Sequence, residues 1–516
     1  MIALLISAVC SALLLTAAYP HLALWPVSAV ALAPFLTVLF SPSPGRSWRQ
    51  VWLASYVFSA VWHLSCIWWI SYVTGAGMVM LALFISLFLA SMLTLGWWLV
   101  RRGYPALLVI PMVWIVFEAI VTYFLSGFPW LLLGYTWRPW ITGIQTADLA
   151  GVYAVSYIII CINTALARAL VSQRAGEPLR KQLTPIGIAA AIVAGALVYG
   201  AVRETHLARQ SPQKQLRIAC IQANIESEVK HNPSKDRAVL EKYHVLSSSA
   251  VRERPDIIIW PETSIPGYYF EGGLNFRMVT NILRDVSLPV ITGMARYSVD
   301  PATGTRRFYN CAGLIQANGF VSSIYDKRHL VIFGEYVPFE QYLPFLKKVT
   351  PIAGSFSAGR QSQPLYQTVN GEMYVFGPLI CFEDVFGYLS RDMARAGAEI
   401  LVNLTNDGWF HSSPEPYQHA ALSAFRAVET RLPLIRSTNS GITMVIDNTG
   451  RTIAVLEKGG KRTEIYGVLY ATVPVHAAGL SLYTRFGDWF LVLWSLTAIV
   501  IVLYEIVRIW RGRHRR

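Results

Sequence analysis

The chain has 516 residues, 54% of them hydrophobic and 14% charged, with a mean hydropathy of +0.42. Soluble domains carry about 25% charged residues, so these figures exclude both a wholly soluble enzyme and a disordered chain. The 44 Lys and Arg outnumber the 30 Asp and Glu, giving a net charge of +14, and the placement of that excess decides whether it faces nucleic acid.

Eight apolar runs predict helices that cross a membrane. They cover 2–19, 21–40, 51–73, 78–100, 106–125, 149–167, 186–202 and 489–507, each near the ~20 residues that span a bilayer. The first lacks a basic leader and a small-residue cleavage site, and reads as a retained span rather than a signal peptide. Basic residues cluster in alternate connections: Arg46 and Arg49, then Arg101 and Arg102, then Arg168, Arg174, Arg180 and Lys181, and finally Arg508 to Arg516. The intervening connections are nearly free of them, with Arg138 the exception. All four clusters face the cytoplasm if both termini do. Much of the net charge is therefore a topology signal and not a nucleic-acid surface. The organisation expected is a seven-helix membrane domain over 1–203, an extracytoplasmic domain over 204–487, and a last span with a basic tail over 488–516. Glu118 and His63 fall inside spans. A carboxylate there is a candidate functional group, and packing against a polar group of a neighbouring helix is an equal alternative.

Between 215 and 475 the pattern changes to short β-branched runs alternating with charged, helix-periodic stretches. Runs such as DIIIW and EILVNL suit strands buried on both faces. Helices are predicted over 235–252, 276–286, 386–396 and 417–430, which makes this an α/β layered domain. Among the six cysteines there is no CxxC pair and no metal-ligand spacing, so neither a disulfide scaffold nor a metal site is expected. Cys220 and Cys311 are expected to be separate buried thiols.

Three reactive residues end apolar strand runs: Glu262 in IIIWPETSIPG, Lys327 in YDKRHLVIFGEYVP and Cys381 in GPLICFEDVF. Ends of parallel strands are where sites on such sheets lie. A thiol needs a base, a partly buried carboxylate can serve as one, and a lysine beside them can stabilise an oxyanion. Taken singly, each also fits a structural role: a packed thiol, a helix cap and a solvated turn residue. Arg426, Glu429 and Arg431 fit an exposed helix face and stay outside the expected site.

The three motifs, in this order and 65 and 54 residues apart, resemble the carbon–nitrogen hydrolase (nitrilase) superfamily. Together with GEYVP, NDGWF and the membrane flanks, they resemble its membrane-bound branch, the apolipoprotein N-acyltransferases, along essentially the whole chain. The resemblance implies a polytopic α-helical membrane bundle of about eight transmembrane helices plus an extracytoplasmic αββα sandwich. It assigns Glu262 as general base, Lys327 as transition-state stabiliser and Cys381 as acyl-carrying nucleophile. Glu335 and Glu383 become supporting carboxylates, and Phe382, Asn406 and Trp409, with Asp407 and Gly408, pocket residues. Phe382 stands where this family often has Tyr, so a hydroxyl role is lost there while an aromatic wall survives. The implied reaction takes an acyl chain from a phospholipid, by resemblance phosphatidylethanolamine, through a Cys thioester to the α-amine of a diacylglyceryl-cysteine on an apolipoprotein. The protein expected is a monomer of the bacterial inner membrane that needs no cofactor, metal or nucleic acid. The aromatic stretch 339–352, with Lys347 and Lys348, is expected to lie among lipid headgroups. A membrane-anchored amidase or nitrilase acting on small amides is the alternative.

Overall fold

The computed structural model describes all residues except 44, 231, 270–272, 300–303, 338–354, 477–478 and 514–516. The stretch 339–352 thus lies outside the described residues. The chain divides into two units, Met1–His206 with Phe486–Arg516, and Leu207–Arg485.

In the first unit, five helices are long and apolar enough to cross a membrane: Gly75–Arg101, Ala106–Tyr123, Val152–Arg174, Leu179–Ala208 and Trp489–Arg513. Helices Ile2–Ala18 and Trp48–Cys66 are shorter or less apolar. The run 21–40 does not form the single helix expected. It breaks into a 3-10 segment, Trp25–Ala29, and a short helix, Ala33–Phe40, each begun with a proline in its first turn. A break in hydrocarbon exposes backbone groups that each cost several kcal/mol if unpaired. Asn163, buried on Val152–Arg174, supplies the partners: its Oδ1 accepts from the N–H of Leu32 (2.8 Å) and Ala33 (3.1 Å), and its Nδ2 donates to the Ser28 carbonyl (2.8 Å). Glu118 works in the same way. Its Oε1 accepts from Trp114 Nε1 at 3.0 Å and from the N–H of Leu133 at 2.9 Å, at the start of another irregular stretch. His63 hydrogen-bonds within its own helix, at 2.8 Å from the Ser59 carbonyl. Glu118 and His63 therefore both have structural partners.

The second unit contains two six-stranded sheets. The first is ordered β12-β1-β2-β3-β4-β5, from Lys214–Gln222 (β1), Ile257–Ile259 (β2), Val290–Val299 (β3), Arg306–Ile315 (β4), Val321–Asp326 (β5) and Gly467–Val475 (β12). The second is ordered β11-β10-β9-β8-β7-β6, from Leu365–Val369 (β6), Glu372–Ile380 (β7), Ile400–Thr405 (β8), Leu434–Thr438 (β9), Met444–Ile446 (β10) and Thr452–Val455 (β11). Each sheet has three parallel central strands, β1-β2-β3 and β7-β8-β9, and antiparallel flanks.

Alternation along β1 shows the layering. Leu216, Ile218 and Cys220 join Phe376, Ile400 and Leu434 in the core between the sheets. Ala219 and Ile221 turn the other way, onto the helices Asp236–Ala250 and Leu274–Val286 through Leu240, Tyr243 and Leu283. Helices Gly387–Arg395 and Glu415–Thr430 pack Met393, Ala420 and Ala424 into the core that includes the second sheet. The result is an αββα sandwich. Cys220 and Cys311 are buried free thiols.

Candidate active site

Glu262 follows the end of β2, Lys327 the end of β5 and Cys381 the end of β7. The turns that present them are tight. Cys381 has φ of 50° and Thr263, next to Glu262, has φ of 49°. Non-glycine residues rarely adopt this left-handed region, and it costs on the order of 1–3 kcal/mol that surrounding structure must offset. Gly293 on β3 lets the first turn come close: a Cβ there would sit 2.5 Å from the Glu262 Cα.

Lys327 is buried and lies between two carboxylates, its Nζ 2.9 Å from Glu335 Oε2 and 3.8 Å from Glu262 Oε1. Burial alone would lower its pKa, but Glu335, Glu262 and Cys381 outweigh it and hold Lys327 above its ordinary value as an ammonium. Asn310 on β4 joins the two acids, its Nδ2 donating to Glu262 Oε1 at 2.8 Å and to Glu335 Oε1 at 2.9 Å. Glu335 is fixed further by the Val331 N–H at 2.9 Å. Burial raises the Glu262 carboxyl; Lys327 opposes the rise and Glu335 adds to it. The closer carboxylate thus neutralises Lys327 and leaves Glu262 the weaker partner, poised to accept a proton.

Cys381 lies near enough to Glu262, Lys327 and Lys230 for their charges to act on it. Burial pushes its thiol up to about 12, with Glu262 raising it further and Lys327 opposing. The resting residue is a thiol, and any attack by this sulfur requires that proton to leave. Lys230, on the short helix Ser227–Lys230, donates to the Glu262 backbone carbonyl at 3.1 Å. Burial pushes Lys230 down to about 8, which Glu262 and Cys381 oppose.

Glu383 is wholly buried and, among the described residues, accepts neutral hydrogen bonds alone: from the Tyr325 hydroxyl at 2.9 and 3.0 Å, and from the N–H of Arg328 (2.7 Å), His329 (3.1 Å) and Ile380 (2.8 Å). Arg328 follows Lys327 and Ile380 precedes Cys381, so this carboxylate ties the lysine's strand end to the cysteine's. Phe382 packs edge-on against Phe386, ring centroids 5.2 Å apart, and its ring lies 6.1 Å from that of His329. Asn406 accepts from Asn439 Nδ2 at 3.0 Å and from the Gly408 N–H at 3.4 Å, while Trp409 is 45% exposed.

Behind the cysteine turn lies a buried charged network of which sequence reading had singled out only Asp407, as a pocket residue. His419 stands between Asp384 (Nε2 to Oδ1, 2.8 Å) and Asp407 (Nδ1 to Oδ1, 3.0 Å). Arg436 donates to Asp384 Oδ2 at 3.1 Å, Asp407 Oδ2 at 2.9 Å and Asn403 Oδ1 at 2.8 Å. Asn403 in turn donates to the Cys381 carbonyl at 3.1 Å. Burial and Arg436 lower His419, but Asp384 and Asp407 prevail and hold it well above its ordinary value, as imidazolium. Burial, then Asp407, pushes Glu415 up to about 8, so near neutral pH it holds a proton and the other four charges cancel. Asp407, Glu415 and His419 place ligand atoms within 4.8 Å of one another. An imidazolium with both nitrogens on carboxylates has no lone pair for a metal, and the group is a salt-bridge network that braces the turn.

Arg426, Glu429 and Arg431 are 1–2% exposed, which corrects the expected surface helix face. Arg426 Nη2 meets Glu429 Oε1 at 2.9 Å and Nη1 donates to the Val385 carbonyl at 3.0 Å, four residues beyond the cysteine. Among the other missed residues, Asn310 and Arg436 had a visible signal, a polar group inside an apolar strand run. Lys230 and His419 had none.

Comparison with known proteins agrees in two parts of the chain. A carbon–nitrogen hydrolase family model matches residues 217–480, and a model of the apolipoprotein N-acyltransferase N-terminal domain matches 11–165. An apolipoprotein N-acyltransferase of Geobacter metallireducens is 32% identical over 496 residues, covering 94% of this chain and 91% of its own. One from Chlorobaculum tepidum is 29% identical over 494 residues, with 91% and 90% coverage. Among solved structures, Saccharomyces cerevisiae Nit3, a member of branch 10 of the nitrilase superfamily, is 18% identical with a TM-score of 0.38, covering 51% of this chain and 91% of its own. Fold and matches together define a carbon–nitrogen hydrolase domain carried by an integral membrane protein. The chain belongs to the apolipoprotein N-acyltransferase family and is an N-acyltransferase.

Proposed function

We propose that the protein moves a fatty acyl chain from a phospholipid to the N-terminal amine of a diacylglyceryl apolipoprotein, with Cys381 as carrier. The observation that carries this reading is the buried grouping of Glu262, Lys327 and Glu335, 2.9–3.8 Å across its ion pairs and within electrostatic reach of the thiol. In the first step Glu262 takes the Sγ proton as Sγ attacks the ester carbonyl carbon. The oxyanion of the tetrahedral intermediate develops beside the Lys327 ammonium. The ester C–O bond then breaks, Glu262 returns its proton to the leaving alkoxide, and a lysophospholipid departs from a Cys381 thioester. In the second step the apolipoprotein α-amine attacks the thioester, Glu262 takes a proton from it, the C–N bond forms as C–S breaks, and Glu262 gives that proton to the departing Sγ, which restores the Cys381 thiol. Acyl transfer from thioester to amine is downhill, so these steps balance without a nucleotide.

The domain boundaries 204 and 487, an extracytoplasmic catalytic domain, cytoplasmic termini, phosphatidylethanolamine as donor and a monomeric state belong to the same reading. The basic connections support the sidedness. A transferase must keep water from its thioester. Acyl-loaded protein is therefore expected to hold its acyl group in buffer and to release it as an amide on addition of a diacylglyceryl-cysteine peptide. Steady release of free fatty acid at a rate indifferent to the peptide would favour the membrane-anchored amidase.

A further inference from the structure

A cavity of about 420 Å³ opens in the membrane unit, lined by Arg46, from the connection after Ala33–Phe40, Arg101, the last residue of Gly75–Arg101, and Arg168, in the second half of Val152–Arg174. Residues from three of the four basic clusters thus meet round one void. Arg46 places Nη1 on the carbonyls of Val38 (2.7 Å), Leu39 (2.7 Å) and Ser41 (3.3 Å), closing the last turn of Ala33–Phe40. Arg101 lies over the Trp97 ring, 5.1 Å from its centroid. Among the described residues, neither Arg101 nor Arg168 makes a hydrogen bond or an ion pair; Glu177 acts on Arg168 only from beyond ion-pair distance. Burial and the charge of Arg101 both hold Arg46 below its ordinary value, as expected of cations gathered without a counter-ion.

Three guanidinium groups round one void repel one another unless an anion enters. Guanidinium forks match phosphate oxygens, and the remaining wall, with Leu39, Phe40, Trp97 and Val100, is apolar and aromatic. The volume falls within the ~300–1,000 Å³ of ligand sites. Basic pockets between membrane helices take lipid headgroups. The geometry points to a phosphate-binding site for an anionic phospholipid, with Arg101 and Arg168 on the phosphate oxygens and the glycerol end against Phe40 and Trp97. This site involves none of the residues assigned to acyl transfer and stands or falls apart from that assignment.

The test uses the full-length protein in detergent and native mass spectrometry with equimolar phosphatidylglycerol and phosphatidylcholine. Wild type is expected to retain phosphatidylglycerol at least about tenfold over phosphatidylcholine. The double variant Arg101→Gln, Arg168→Gln, which among the described residues removes no hydrogen bond or ion pair and only the exposed Arg101 contact with the Trp97 ring, loses that preference at a nearly unchanged unfolding temperature in lipid-free detergent. In a second arm, inorganic phosphate replaces the lipid. Stabilisation of wild type but not of the variant by phosphate, without lipid preference, keeps the anion site and assigns it to the free ion. Equal retention of the two lipids with no response to phosphate, or a preference that survives in the double variant, overturns the proposal.

Discussion

Glu262→Gln is expected to slow acylation of Cys381 by about 10²–10⁴-fold, the usual contribution of a positioned base. The substitution isolates the proton-accepting function. Gln keeps an Oε1 to accept from Asn310 Nδ2, and Lys230 bonds to the backbone carbonyl, not to the side chain. The thiol, pushed up to about 12, holds its proton at neutral pH, so no pre-formed thiolate can compensate. The same assignment fixes the pH dependence. Glu262 works only when ionised, and burial raises its carboxyl above the ordinary 4.5. On acidification the base is therefore lost at a higher pH than an exposed glutamate would show, and the acid limb of the acylation rate lies above the ordinary carboxylate range. Pre-steady-state acylation measured across pH checks both points. A Gln variant that keeps that limb, or acylates at close to the wild-type rate, removes Glu262 from the role of base.

Lys327→Met is expected to cost about 10²–10³-fold in the same step, the scale of losing one donor to an oxyanion. The lysine is held charged by two carboxylates, at 2.9 and 3.8 Å, and is buried with them. Removing one partner of a buried ion pair costs about 3–5 kcal/mol when the other stays charged. Here Glu262, whose carboxyl burial already raises, can protonate instead, which lessens the cost. Thermal unfolding, followed alongside the acylation rate, separates lost chemistry from lost fold. Reaction at the wild-type rate by a folded Met variant would show that Lys327 only balances its neighbours' charge.

The grouping of Glu262, Lys327 and Cys381 was legible because each interrupts an apolar run at its end, where a buried strand gives way to a turn. The four covering helices were legible from their periodicity, to within two residues at most ends. What was hidden depends on pairing across long stretches of chain. Asn310 joins Glu262 to Glu335, and Arg436 and Asn403 reach the Cys381 turn from neighbouring strands. Arg426 and Glu429 looked like a solvated helix face, but a charged pair that neutralises itself and caps a carbonyl can be buried. The run 21–40 is apolar throughout, yet the prolines at 26 and 34 restart the helix and Asn163 repairs the gap from 130 residues away. Composition cannot register such a repair.

The central claim is that one sulfur carries the acyl chain. Purified protein incubated with phospholipid and weighed intact is predicted to gain the mass of a single acyl group, lost on treatment with hydroxylamine and absent from Cys381→Ala. A wild type that gains no mass, or an adduct that persists in Cys381→Ala, contradicts it.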